Sequence, residues 1–456
     1  MAGVLTNGII FLLVLICVIY RQRWLMFMYA ASLPFFGVIA EVGVQITPVL
    51  VISLGMLIAL LIQGFDKLAM PKVVLIYMLY VVSISITMSF FLPAEVLHYP
   101  ALRGRFRWIS QLLVFALLYT PLLFVYWKKP SIAEVFLMSK GFIWATIFLC
   151  LTGFLQLYIY NKTGKDLFPI NMFSQIEEKE TIRSALSRIS ETLKVFRVSA
   201  LGGGEPKHFG YSCVVALNLH LLNWLYSGVT LTRSKLINLG VVILFLLGIL
   251  LSLSTQAYLL LGLDIVILTF MMLITMGIKS KRLLIIMMAV LIGGIILVKN
   301  DYSNRLIETR IYERLTETGA VEDFNETIIR FLESNPGFIV LGTGLGSIHF
   351  WAIDYIPKEF RYYMKDSVFV AKAGVLRIVS EQGIVGLILF LCVVIFVLLH
   401  LWRERKYLNS SLGYVSFCFL IIVILDYFVS SDSSPYYVFA ILFGFAVLQQ
   451  KKLCTV

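Results

Sequence analysis

Charged side chains are scarce in this 456-residue chain: Asp, Glu, Lys and Arg make up 14% of it, against 60% hydrophobic residues. A soluble domain usually carries about 25% charged residues. So few charges cannot cover a water-facing surface, which excludes a soluble globular protein and leaves most of the chain facing lipid. Cysteine is also sparse. Cys17, Cys150, Cys213, Cys392, Cys418 and Cys454 form no CxxC pair. They read as small buried hydrophobes and imply no metal site. The first apolar run, Val4 to Tyr20, lacks a basic leading segment and a small-residue cleavage site, so it reads as a retained helix rather than a signal peptide. Internal repeats and low-complexity segments are absent.

What is present is a series of apolar runs long enough to span a bilayer. They fall near residues 4–20, 24–41, 46–64, 71–92, 108–127, 141–160, 208–227, 236–253, 256–277, 283–298, 378–402, 411–430 and 435–449. The expected fold is therefore an all-α polytopic membrane protein of about 13 transmembrane helices, within a range of about 11 to 14. Positive charge orients it. Arg21 and Arg23, Lys67 and Lys72, Lys128 and Lys129, Arg233 and Lys235, Lys279 to Arg282, Arg403 to Lys406, and Lys451 with Lys452 alternate onto one side. That side is cytoplasmic by the positive-inside rule, with the N-terminus outside and the C-terminus inside. Two long polar segments, 161–207 and 299–377, then share the outer face.

Those outer segments carry Arg183, Arg188, Arg197, Arg305, Arg310, Arg314, Arg330 and Arg361, and the outer loop 93–107 adds Arg103, Arg105 and Arg107. Arginine forks onto phosphate with two parallel hydrogen bonds, so this outer arginine set points to an anionic ligand. The alternative is surface charge balanced by the loops' own acids. Apolar residues at three- and four-residue steps from Ile182 to Phe196 predict an amphipathic helix. Residues 303–318 and 322–334 read as two more short helices.

Three clusters carry candidate chemistry. Arg197 to Gly210 packs Arg197, Glu205, Lys207 and His208 around Gly202–Gly204. Pro206 suits the first turn of the next helix, and Glu205 sits where that helix's dipole favours its charge. The plainer alternative is a glycine hinge with a capped helix. Asn335 to Ser347 holds Gly342, Gly344 and Gly346. It does not follow a strand, so a dinucleotide fold is excluded, and it reads as a tightly packing loop. Lys372 to Gly386 places Arg377 and Glu381 four apart on one helix face, where they could pair. Asp264 and Asp426 lie inside spans, where carboxylates call for a partner; no basic residue is an evident mate for Asp264. His220 and His400 fall in apolar spans and read as packed.

The order of these features is similar to one known group. Arg197…Gly204-Glu205-Pro206…Phe209-Gly210 opens a helix. Leu251-Ser-Leu-Ser254-Thr-Gln-Ala follows in an outward turn. Then come Asn335-Pro-Gly…Leu341-Gly-Thr-Gly-Leu-Gly346 and Val379-Ser-Glu-Gln-Gly383-Ile-Val-Gly386. Over roughly residues 110–430 this resembles the bacterial O-antigen polymerase (Wzy-type) and O-antigen ligase superfamily. The resemblance implies a metal-independent, inverting glycosyltransferase of GT-C-like fold, without cofactor, in the bacterial cytoplasmic membrane with its active site on the outer face. Its substrates would be undecaprenyl-pyrophosphate-linked oligosaccharides, and a chain-length regulator protein is a possible partner; nucleic acid is not. Arg197, Arg314, Arg330, Arg361, Arg377 and Lys372 would bind pyrophosphate, Glu205 or His208 would act as base, and Gly204, Pro206, Gly344, Gly346 and His349 would support them. The ligases carry a His-Asn-type pair ahead of the late Gly-x-x-Gly. Lys372 and Ala373 stand there here, which favours the polymerase. Gln256 stands where many relatives carry arginine. A lipid-linked oligosaccharide transporter is the alternative from another class.

Overall fold

A computed structural model describes residues 2–41, 45–64, 70–92, 106–168, 189–190, 195–227, 234–276, 320–356, 371–404, 410–431 and 434–449. In chain order its helices are α1 (Ala2–Tyr20), α2 (Arg23–Ser32), α3 (Pro48–Gln63), α4 (Lys72–Phe90), α5 (Phe106–Lys128), α6 (Ile132–Thr163), α7 (Pro206–Leu222), α8 (Lys235–Ser252) and α9 (Thr255–Met276). They continue as α10 (Ala320–Ser334), α11 (Pro336–Leu341), α12 (Ile348–Trp351), α13 (Gly374–Glu404), α14 (Ser410–Val429) and α15 (Ser434–Gln449). Two minimal antiparallel pairs join them: β1 (Ala40–Glu41) with β2 (Gln45–Ile46), and β3 (Ile189–Ser190) with β4 (Val195–Phe196).

Seven of the described helices are long and apolar enough to cross a membrane: α1, α4, α6, α8, α9, α13 and α14. Shorter apolar helices are α3, α15 and the Leu112–Lys128 part of α5. Outward-facing Leu5, Leu12 and Ile16 of α1, Phe90 of α4 and Leu236 of α8 give these helices an apolar exterior, as lipid contact requires. This is an all-α membrane protein. The expected span at 283–298 and helix at 303–318 lie outside the described residues.

α7 behaves differently from a lipid-facing helix. Nearly all its residues, including Asn218 and His220, are buried, and it packs on α6, α8, α9 and α14. Its last turn widens into a π turn at Asn223–Ser227, where Asn223 donates to Ser139 Oγ at 2.7 Å. α15, also buried along nearly its whole length, packs on α5, α13 and α14. These two helices form the interior of the bundle.

Three sequence expectations need correction. The span at 24–41 is helical only as α2, which stops at Ser32. Leu33 still has α-region dihedrals (φ −54°, ψ −40°) and donates its N–H to Ala30 O in a tighter turn; Pro34 after it has no N–H with which to continue the helix. The chain continues through turns at Leu33–Pro34 and Phe36–Gly37 to β1–β2, and Ile46 O accepts from Asn7 Nδ2 at 3.4 Å. It thus regains the level of the start of α1 without a full-length helix. The helix expected over 182–196 is, in its described part, the β3–β4 pair. Branched Ile189 and Val195 suit strands, and Phe196 is buried with its ring stacked on Tyr160, centroids 4.0 Å apart. Third, the span at 141–160 belongs to the 32-residue α6. A capping box starts it early: Ser131 accepts from Glu134 N at 3.3 Å, and Glu134 accepts from Ser131 N at 2.7 Å.

Candidate functional site

Residues 197–210 thread between the Phe35–Val38 turn that follows α2, α6 and α8 before opening α7. Gln156, a fully buried amide on α6, accepts from the N–H groups of Ser199 and Ala200 at 3.2 and 2.9 Å. Its own amide donates to Asp166 Oδ1 at 2.7 Å. The backbone then turns sharply, with positive φ at Ala200, Gly202 and Gly204. Gly37 N donates to Gly202 O at 2.8 Å. A Cβ on Gly37 would lie 2.5 Å from Gly204 N, so two backbones touch where only glycine fits. This contact also holds Phe35–Gly37 out of helix.

Glu205 is the N-cap of α7 and Pro206 its first residue, as the sequence predicts. The Glu205 side chain does not cap the helix; it is half exposed and pairs with Lys207 Nζ at 3.2 Å. His208 stacks on Phe36, ring centroids 5.0 Å apart and 15° from parallel. Arg197, partly buried, enters this segment beside β4.

The second half of the site is built at the start of α13. Asn325 of α10 accepts from the N–H groups of Lys372 and Ala373 at 2.9 and 3.3 Å. Ser431, after α14, donates its hydroxyl to Ala371 O at 2.7 Å and its N–H to Lys372 O at 2.8 Å. Arg377 Nε then lies 3.7 Å from Glu381 Oε1 one turn later. Glu381 is almost completely buried, whereas Arg377 is partly exposed. The buried acid therefore anchors a guanidinium whose other face reaches the surface.

The helix breaks just beyond, at Gly383 (φ 71°, ψ 179°), which frees backbone carbonyls inside the bundle. The glycine loop between α11 and α12 supplies the missing donors. Thr343 N and Gly344 N donate to Ser380 O and Glu381 O at 2.9 and 2.8 Å, and Tyr80 Oη donates to Gln382 O at 2.9 Å. The Gly346 N–H also reaches the Glu381 carboxylate. Gly344 and Gly346, both with positive φ, thus serve by letting the loop lie against the broken helix. His349 follows in α12, fully buried beside Phe350.

Two turns join the halves. Val198 N donates to Leu251 O at 3.1 Å, and Gly210 packs on Ser252 and Ala257. Gln256 in turn hydrogen-bonds Ser430 Oγ, next to the Ser431 that holds residues 371 and 372. A second route is aromatic. Phe36, under His208, lies 5.6 Å from Tyr436, and the adjacent Tyr437 is within electrostatic reach of Arg377 and Glu381. The Arg197–His208 and Lys372–Glu381 segments therefore share one end of the bundle. Arg330 is on an exposed face of α10, paired with Glu326. Arg314 and Arg361 lie outside the described residues.

Sequence reasoning did not single out Gln156, Asn325, Tyr80, Phe36 or Ser431. Gln156 carried a usable signal, as an amide inside an apolar run. Asn325 and Tyr80 carried none, because their partners are remote in sequence. The chain matches no known protein-family model and no curated protein sequence.

Proposed function

We propose that this protein is a polysaccharide polymerase. It would transfer a growing glycan from undecaprenyl pyrophosphate to the non-reducing end of a lipid-linked repeat unit, at the outer face of the cytoplasmic membrane. The observation that carries this reading is the sharing of one end of an apolar helical bundle by Arg197, Lys372 and Arg377, with Glu205 and His208 beside Arg197. A lipid diphosphate needs such a place: its tail requires bilayer, and its charge requires guanidinium and ammonium groups at the bilayer's edge.

In the proposed reaction the acceptor hydroxyl oxygen attacks the donor's anomeric carbon, inverting it. The bond from that carbon to the pyrophosphate oxygen breaks, and its electron pair leaves with the lipid diphosphate. Arg197 and Arg377, with Lys372, stabilise the charge that develops there, in place of a metal. The hydroxyl proton passes to Glu205, or to His208 as the second candidate. Arg314, Arg330 and Arg361 belong to the proposed anion-binding set through their place in the second outer segment. About 13 spans, a GT-C-like arrangement and an outer-face site complete the reading.

A transporter of lipid-linked oligosaccharide is the second reading, favoured by the helix break at Gly383, since transporters use broken helices within the membrane. Reconstitution of the pure protein with a single lipid-linked repeat unit separates the readings. A polymerase lengthens it, and does so under exhaustive chelation. A ligase leaves it unlengthened for want of lipid A core. Movement across the bilayer without any new glycosidic bond would replace the polymerase with a transporter.

A further inference from the structure

The bundle interior holds a second polar cluster that the transfer chemistry does not use. Asp264 of α9 and Asp426 of α14 are both fully buried, and their carboxyl groups lie within hydrogen-bonding reach of each other. Asn218 of α7 donates its amide to Asp264 Oδ2 at 2.5 Å. Tyr211, also on α7, donates its hydroxyl to Asp426 Oδ2 at 3.3 Å. These donors account for one oxygen of each acid. The other two, Asp264 Oδ1 and Asp426 Oδ1, are buried without a hydrogen-bond partner.

Among the described residues no lysine, arginine or histidine pairs with either acid. Arg377 and Glu381 of α13 interact with Tyr427 and Tyr437 instead. His220 of α7 is bonded to Asn238 O on α8. Tyr436 of α15 is bonded to Ser212 and packs on Tyr211. Tyr211 is thus the remaining titratable group that touches the pair. Two ionised carboxylates in contact repel strongly where water is excluded, and an unpartnered buried oxygen carries its full desolvation cost. A single proton between them turns repulsion into a hydrogen bond, as in other carboxyl pairs that share one proton.

We propose that Asp264 and Asp426 form an intramembrane proton-binding site that holds one exchangeable proton between α9 and α14. At 1.5 Å per residue Asp264 lies about 13 Å along α9 from its start at Thr255, and Asp426 about 5 Å from the end of α14 at Val429, so the pair sits within two spanning helices, below their loop end. α7, α9 and α14 all run from this pair to the loop end. α7 begins there at Glu205, and α14 leads there into the Ser430–Ser431 turn that holds residues 371 and 372. Loss of the proton sets two like charges against each other and loosens the contact among those helices.

Infrared spectroscopy of the full-length protein in lipid tests this without regard to activity. In sodium-free buffer near neutral pH, the wild type minus Asp264→Asn difference spectrum should show the carbonyl stretch of a protonated carboxylic acid, shifted by deuterium exchange. The Asp426→Asn difference should show the same band, because in either variant the asparagine amide supplies the hydrogen to an ionised partner. If neither variant folds, the wild type alone still reports: the band should bleach as pH is raised. A wild-type spectrum without such a band, or one that survives both substitutions, overturns the proposal. Loss of the band when sodium replaces potassium at constant pH would also overturn it, by making sodium the resident cation.

Discussion

Arg377 and Glu381 show what a single ion pair does at a membrane edge. Glu381 is buried and takes the Gly346 N–H as well as Arg377, so Arg377→Ala leaves a buried carboxyl short of its partner. That should cost roughly 1–3 kcal/mol of stability and, if Arg377 meets the diphosphate, a further 10²–10³-fold or so in rate. Glu381→Gln keeps a hydrogen-bonding group there and should retain most of the stability, so comparing thermal unfolding with turnover separates the two roles. Arg197→Ala should abolish polymer formation while the protein still reaches the membrane; wild-type chain lengths in that variant would remove Arg197 from the site. Glu205 is half exposed and pairs with Lys207. If it is the base, Glu205→Gln should slow glycan elongation at every pH, and an unaltered rate would pass the role to another group.

At the scale of elements, the break in α13 and the glycine loop form one unit. The loop's N–H groups replace the hydrogen bonds that α13 gives up at Gly383, as broken membrane helices require. Gly383 has a backbone conformation open essentially to glycine, and a Cβ there would lie 2.1 Å from Val340 O. Gly383→Ala should therefore cost more than the roughly 1–3 kcal/mol of the backbone strain alone. Gly164, which ends α6 with φ 68°, has nothing near its missing Cβ. Gly164→Ala should cost only about 1–2 kcal/mol. Unfolding of the two variants in the same detergent gives this ordering, and equal midpoints would mean that the loop does not brace the break.

For the whole molecule, sidedness decides whether the proposed chemistry can occur. Lys129 and Lys165 flank α6 and both are exposed. In intact cells a membrane-impermeant thiol reagent should label Lys165→Cys directly and Lys129→Cys only after permeabilisation. The reverse pattern would put Arg197 and Arg377 in the cytoplasm, away from a translocated lipid-linked glycan. Much of the architecture was legible because each spanning helix announces itself by a local property, its apolar length. Where a local rule met a tertiary one, the tertiary one prevailed. After Pro34 the backbone contact of Gly37 with Gly202 and Gly204 keeps the chain from resuming a helix, and burial of Phe196 on Tyr160 replaced a helical periodicity with a strand pair.

The sequence by itself determined that this is a helical membrane protein, that Pro206 opens α7, and that Arg377 and Glu381 share a helix face on which they can pair. These depend on composition or on spacings of a few residues, and helix geometry converts such spacings directly into neighbours. Only the tertiary structure decided that the segments around residues 200 and 375 share one end of the bundle, and that the glycine loop braces a broken helix. It alone decided that Asp264 finds its partner in Asp426. Those contacts cross long stretches of chain, and no local pattern encodes which helix lies beside which.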